Sequence, residues 1–325
     1  MSTQSDLPRR RGSRAAQLDA FGGPDGLRIG DVPLPDVGPG RIRVRVTAAG
    51  LNPMDWYMLS DADTAARFGL TLPAGFGTDY AGVVDRIGDR VTGFAVGDRV
   101  YGGALSRAVA DHVVVDAAGP AADEAHPTPD GVDDRVAATL TIAGRTAAAA
   151  IAAVNPAPGD TVLIGGAAGG VGVFAVQLAR IAGARVLGTG SAASAEHLCA
   201  LGAEPIEYGE GLVDRVRALA PEGVTAAIDL HGEATVHAAR ELGVPDTRIC
   251  TIATKLDGIT AANGATTTPD TLRNIADHVA AGRLTVPIAA TFPLADVRYA
   301  AELQAGRHVK GKIVIDLAEV GPEAV

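Results

Sequence analysis

The stretch Gly159–Ser191, GDTVLIGGAAGGVGVFAVQLARIAGARVLGTGS, limits the possible folds more than any other part of this chain. An apolar, β-branched run enters a cluster of glycines, leaves as a helical pattern ending in a glycine, and is followed by a second apolar run. That order reads as buried strand, tight turn, helix and parallel strand. The turn fits Ala167-x-Gly169-x-x-Gly172, a dinucleotide fingerprint with alanine at its first position. Gly169 lets the backbone approach a pyrophosphate, Gly172 lets the helix pack on the strand, and the helix N-terminus offers free N–H groups. Ala168, Gly169, Gly170, Val171 and Gly172 are therefore candidate cofactor-binding residues. No Gly-Lys-Ser/Thr follows, so the turn is not a P-loop.

The second strand ends at Gly190 and Ser191, without the Asp or Glu that holds a ribose 2′-hydroxyl in NAD binders. A small hydroxyl-bearing loop accepts a 2′-phosphate, so NADPH is the expected cofactor, although SAASAEH contains no Lys or Arg. Ser191 also reads as a helix N-cap.

Residues 15–120 read as short strands and Gly/Pro turns, with RIRVRVTAAG alternating at a period of two. The style changes near residue 132. Residues 133–153 are Ala-rich and read as helix in two pieces broken near Gly144; strand and helix signals then alternate to TVPIAATFPL. This is the pattern of a doubly wound parallel sheet. The chain ends in a helix and the strand IVIDL. The basic N-terminus lacks an apolar core and reads as a flexible tail over residues 1–14, not a secretory signal.

Composition removes several function classes. Lys and Arg number 28 against 38 Asp and Glu, a net charge of −10, which argues against nucleic acid or an anionic membrane as partner. Two cysteines, Cys199 and Cys250, make neither a four-cysteine zinc site nor a disulfide framework, and point to a reduced, cytoplasmic setting. No apolar run reaches the ~18 residues of a membrane span. The seven histidines include no metal-binding helix pair such as HExxH.

Taken together, AAGLNPMDWYML (48–59), FGTDYAGVVDRIGDRVTGFAVGDRVYGG (76–103), AGRTAAAA (143–150), the glycine-rich turn, LGAEPIEYG (201–209) and GKIVI (311–315) resemble the zinc-independent branch of the medium-chain dehydrogenase/reductase superfamily, the quinone oxidoreductase group. The resemblance implies an α/β chain: a GroES-like β-rich catalytic domain (15–134 and 286–325) enclosing a Rossmann doubly wound parallel-sheet domain (135–285). The zinc branch has a Cys ligand where Asn52 stands and a His ligand where Thr78 stands, so no metal is expected.

Without a Lewis acid, a conjugated acceptor is the expected substrate, because the arriving charge delocalises onto its oxygen. The implied activity is NADPH-dependent hydride transfer to a quinone or α,β-unsaturated carbonyl. Two alternatives stand: an enoyl reductase tailoring a polyketide-like metabolite, and a non-catalytic NADPH-binding protein. By resemblance, Asn52 lies beside nicotinamide and substrate as an orienting amide, its other reading being a turn residue before Pro53, and Thr146 contacts the nicotinamide end. Tyr208 approaches the adenine-ribose phosphate, and His231 passes near the cofactor ribose. Asp55 reads as a loop-orienting or proton-relaying residue, or as a helix cap. Tyr57 and Tyr80 are candidate donors to a developing enolate or quinol oxygen, or packing residues. Trp56 is a candidate pocket wall. Arg145, where the family has an apolar residue, pairs with an acidic substrate group or faces solvent. A homodimer is expected through the strand TRICTIA (247–253) as the edge of the Rossmann sheet.

Overall fold

The computed structural model describes residues 12–318. Of the expected tail, residues 1–11 lie outside the described residues. Residues 12–14 are not tail but the start of strand β1 (Gly12–Leu18), which pairs along its length with β2 (Leu27–Pro33). Its Ser13, Ala16 and Leu18 turn inward, as a period of two demands.

Next come β3 (Arg41–Leu51), helices α1 (Pro53–Tyr57) and α2 (Ala62–Arg67), then β4 (Ala74–Gly75), β5 (Asp79–Ile87), β6 (Arg99–Ala104), β7 (His112–Asp116) and β8 (Asp123–Pro127). In β3 the exposed Arg45 alternates with buried valines, but from Ala48 onward every residue is buried, because there the strand runs under the second domain. A Cβ on Gly50 would meet the Ala138 carbonyl oxygen at 2.1 Å, so only glycine allows that approach.

Helices α3 (Asp134–Ala137) and α4 (Thr141–Val154) lead into the second domain. The break between them falls at residues 138–140, not at Gly144. Gly144 sits inside α4, where a Cβ would come within 3.0 Å of Ile275, so its smallness serves helix packing and does not end the helix. The second domain continues with β9 (Thr161–Gly165), α5 (Gly172–Ile181), β10 (Arg185–Gly190), α6 (Ala195–Leu201), β11 (Glu204–Glu207), α7 (Leu212–Leu219), β12 (Ala226–Asp229), α8 (Ala234–Glu241), β13 (Ile249–Thr251), β14 (Thr260–Ala261) and α9 (Pro269–Ala280). All its strands are parallel, in the order β11-β10-β9-β12-β13-β14, the doubly wound order that reverses direction beside the first strand. The strand expected at the sheet edge, β13, is covered by the two-residue β14, so the edge lies one strand further out.

The chain then returns to the first domain through β15 (Ile288–Pro293), α10 (Val297–Ala305) and β16 (Lys312–Asp316). Strand β16 pairs antiparallel with the end of β3, Ile313 opposite Leu51. This return completes the seven-stranded sheet of the first domain and sets Lys312 beside the β3–α1 junction. One apolar core joins Ala48, Ala81, Tyr101 and Val314 of that sheet to residues of α4, α5 and α9, so the two domains share a buried apolar seam. Among the described residues no helix is long and apolar enough to cross a membrane.

Candidate active site

Strand β9 delivers the chain into the turn Gly166–Val171, with Gly166 at φ +69°. Ala167 N–H donates to the Thr189 carbonyl (3.2 Å) and Gly166 N–H to Thr189 Oγ1 (3.1 Å), which ties the turn to the end of β10. A Cβ on Gly172 would lie 2.4 Å from the carbonyl oxygens of Gly166 and Ala167, whereas one on Gly169 would meet only the Gly166 oxygen, at 3.4 Å. Thus Gly172 is required by close packing, and Gly169 presents open backbone. No side chain caps α5, and among the described residues no backbone acceptor takes the N–H groups of Gly170, Val171 or Gly172. A crest of free N–H groups at a helix start fits a dinucleotide pyrophosphate.

Around the turn the structure gathers several expected residues. His231 follows β12 at the point where strand order reverses, and its Cβ would lie 3.1 Å from a Cβ placed on Gly166. Ser191 Oγ lies 3.0 Å from Ser194 Oγ. Gly190 is hemmed in by Leu198 and Ser194. Tyr208, 59 % exposed, hangs its backbone N–H on the Gly190 carbonyl at 3.3 Å. The cation missing from SAASAEH arrives from the far end of the chain: Lys310 Nζ donates to the Ala193 carbonyl. His197 stands near it, its Nε2 buried and unpartnered, its pKa lowered by burial and by the Lys310 charge. Sequence reasoning missed Lys310, Ser194 and His197.

Across the seam lies a second group of residues, drawn from four segments and buried throughout. Asn52 precedes α1, and its backbone N–H donates to Asp55 Oδ2 (2.7 Å). Asp55 Oδ1 accepts from Thr78 Oγ1 (2.8 Å). Asn52 Nδ2 donates to Asp79 Oδ2 (3.0 Å), and Asp79 also accepts from Ile142 N–H at the start of α4 (3.2 Å). Lys312 Nζ donates to the Leu51 carbonyl (2.9 Å) and to Asn52 Oδ1 (2.5 Å). Burial raises Asp55 to about 6, against its bonds from Asn52 and Thr78 and the Lys312 charge. Burial raises Asp79 to about 7, against the Lys312 charge and the Asn52 bond. Burial also lowers the Lys312 ammonium. Burial of two carboxyls and one ammonium together thus raises both acids toward neutrality and lowers the base.

Of the expected site residues, Asn52 and Asp55 belong to this cluster, while Asp79 and Lys312 went unrecognised. Tyr80, expected in the cleft, is fully buried on the opposite face of β5 and donates to the Glu124 carbonyl at 2.9 Å. Strand alternation turns Asp79, not Tyr80, toward the seam. Tyr57 is 49 % exposed. Trp56 is tethered by its indole N–H to Gln304 Oε1 at 2.7 Å. The Thr146 hydroxyl donates to the Ile142 carbonyl (2.7 Å) under the Gly264 loop. Arg145 neither faces solvent nor opens to a substrate: it is buried, with Nη2 on Glu124 Oε2 (2.6 Å) and Nη1 on Thr267 Oγ1 (2.8 Å).

Residues 38–120 match the alcohol dehydrogenase GroES-like domain, and residues 201–315 match a zinc-binding dehydrogenase domain. The structure of a probable oxidoreductase from Mycobacterium abscessus shares 30% identity and a TM-score of 0.78, over 94% of this chain and 99% of that one. The chain belongs to the medium-chain dehydrogenase/reductase family, in its quinone oxidoreductase group. A quinone oxidoreductase of Mus musculus is 35% identical over 179 residues, 54% of this chain and 52% of that protein, so the chain spans about half the length of the curated relatives it matches. A mycobacterial structure complexed with NADPH shares 26% identity, with a TM-score of 0.79 over 94% of this chain and 99% of that one.

The zinc named in the second matching domain does not suit the residues present in this family member. Among the described residues no group of three or more His, Cys, Asp or Glu is placed to hold a metal ion. Asn52 and Thr78 offer no thiolate or imidazole, and an ammonium already sits on the Asn52 oxygen. Cys250 is buried against the Ala150 carbonyl, and Cys199 is exposed on α6.

Proposed function

We propose that this protein is an NADPH-dependent, metal-free oxidoreductase that reduces a quinone or an α,β-unsaturated carbonyl. The observation that carries the reading is the meeting of two parts at one seam. A turn whose Gly170, Val171 and Gly172 N–H groups take no backbone acceptor among the described residues lies on one side, a buried amide–carboxylate–ammonium cluster on the other, and residues 310–312 bridge them. When bound, the cofactor supplies a hydride from its nicotinamide ring.

The remaining work falls to the chain. Gly169, Gly170, Val171 and Gly172 receive the pyrophosphate. Ser191, Ser194, His197 and Lys310 receive the 2′-phosphate, Tyr208 flanks the adenosine, and His231 flanks the ribose. The cation on Lys310 and the absence of a carboxylate after β10 favour NADPH over NADH. Asn52, fixed at both ends of its amide, and Thr146 shape the nicotinamide end. Tyr57 offers an exposed phenol to a flat acceptor, whose oxygen takes its proton from solvent. A conjugated acceptor suits such a site because position and water exclusion replace Lewis-acid activation. We place the protein in the cytoplasm as a homodimer, joined at the sheet edge through β14.

The test is loss of NADPH absorbance with menadione, methyl vinyl ketone and crotonyl-coenzyme A, run in parallel with NADH. Turnover of menadione or methyl vinyl ketone with NADPH preferred is the expected result. Turnover of the thioester alone would favour the enoyl-reductase alternative, and tight NADPH binding without oxidation by any acceptor would defeat the enzymatic reading.

A further inference from the structure

Lys312 is the first residue of β16 and is 2 % exposed. Its charge reaches Asp79 through Asn52: the ammonium sits on Asn52 Oδ1 at 2.5 Å, and Asn52 Nδ2 donates to Asp79 Oδ2 at 3.0 Å. A cation on the oxygen and a carboxylate on the nitrogen leave the amide one orientation, since a flip would set donor against donor and acceptor against acceptor. The stem of the same side chain lies against the dinucleotide turn. A Cβ on Gly170 would come within 3.2 Å of Lys312 Cδ, and Gly311 N–H donates to the Ala168 carbonyl at 3.0 Å. One side chain therefore touches the turn with its methylenes and Asn52 with its charge.

We propose that Lys312 is a positioning residue that couples the dinucleotide turn to Asn52, so that the side chain packed against the turn also holds the amide beside the reacting end. This rests on the reading of the seam as a hydride-transfer site. Lys312 touches neither reactant, and it acts by fixing Asn52. The ammonium, held by Leu51 and Asn52, keeps the β3–α1 junction in register with β16, and the packed stem transmits any shift of the turn to that junction. The groups facing it are Asp55 from α1 and Asp79 from β5.

The experiment is single-turnover oxidation of NADPH by menadione in Lys312→Met, Asn52→Ala and the double variant, with NADPH affinity read by fluorescence. Lys312→Met is expected to slow the hydride step roughly 10- to 100-fold through misplacement of the amide. NADPH affinity is expected to change by no more than about threefold. The deuterium isotope effect from 4-deuterated NADPH should rise as hydride transfer becomes limiting. The double variant should be no slower than Asn52→Ala, since Lys312 acts through that residue. Multiplied losses in the double variant, or a wild-type hydride rate in Lys312→Met, would overturn the coupling while leaving the functional reading intact. An unchanged rate in Asn52→Ala would instead defeat the reading of the seam and the coupling with it. Should Lys312→Met fail to fold, Lys312→Gln, which keeps a donor without the charge, carries the same cycle and is expected to fall between wild type and Asn52→Ala.

Discussion

Two buried ionic clusters flank the start of α4, and they are built on opposite plans. In one, Arg145 Nη2 touches Glu124 Oε2 at 2.6 Å, and His126 Nε2 lies 2.8 Å from the same oxygen. In the other, Lys312 and Asp79 are kept apart by the Asn52 amide. The consequences for charge differ in sign. Burial pushes the Glu124 carboxyl up, but the His126 bond and the Arg145 charge hold it net below its usual range. Asp79, lacking a direct cation, is left at about 7 by burial. Direct pairing makes a fastener that stays ionised. Pairing through an amide leaves the Asp79 carboxyl raised by its burial. The fastener joins strand β8 of the first domain to α4 and the Thr267–Thr268 segment of the second, well suited to holding the domains in register.

The largest expected effect comes from breaking the fastener. Arg145→Met leaves the buried Glu124 carboxylate with His126 alone, and removing one partner of such a buried pair costs up to about 3–5 kcal/mol of stability. Urea unfolding measures the loss. The folded fraction should still oxidise NADPH with menadione at close to the wild-type rate. A stable variant with a lost hydride step would reverse the roles assigned to the two clusters.

Legibility followed the same divide between local and assembled features. The turn at Gly165–Gly172 could be read from sequence because its chemistry is backbone chemistry carried by contiguous residues, and the doubly wound alternation around it was equally plain. The amide cluster is assembled from residues 52–55, 78–79, 142 and 312, brought together by sheet closure, which no local pattern records. The sequence does not distinguish Tyr80 from Asp79, because a strand turns successive side chains to opposite faces and the partner domain sets which face meets the seam. A signal for Lys312 did exist: Lys is rare in this chain, and one opens the buried strand KIVID. Arg145 stands out in the sequence, but its partner Glu124 lies on β8, a strand whose short, polar sequence carries no strand pattern.

The next effect in size sharpens the contrast through pH. Asp79 titrates near 3.8 when unfolded and at about 7 when folded, so between those values the native state binds more protons and stability falls as pH rises. Asp79→Asn removes that loss and should gain on the order of 2 kcal/mol at pH ~7.5 relative to pH ~4.5, the shift being shared with Asp55 and Lys312. Glu124 has the opposite sign: its carboxyl is held low, its stabilisation is present above the usual glutamate range, and it is lost as pH falls. Glu124→Gln should therefore lose stability mainly at neutral pH. Urea unfolding of both variants across this range gives two slopes, and finding them parallel would erase the distinction between direct and amide-mediated pairing.

The smallest effect separates the two tyrosines that sequence alone could not tell apart. Tyr80 belongs to the fastener's side, its hydroxyl bonded to the Glu124 carbonyl in a fully buried setting, and burial raises its pKa far out of reach of acid–base work. Removing that hydroxyl in Tyr80→Phe should cost about 1 kcal/mol of stability, with no change in the rate of menadione reduction. Tyr57, half-exposed at the end of α1, should behave the other way. Tyr57→Phe is expected to leave unfolding within about 0.5 kcal/mol of wild type and to raise KM for menadione. A Tyr80→Phe enzyme of normal stability but impaired turnover would bring Tyr80 back to the seam and make the orientation of β5, not the cluster chemistry, the point to revise.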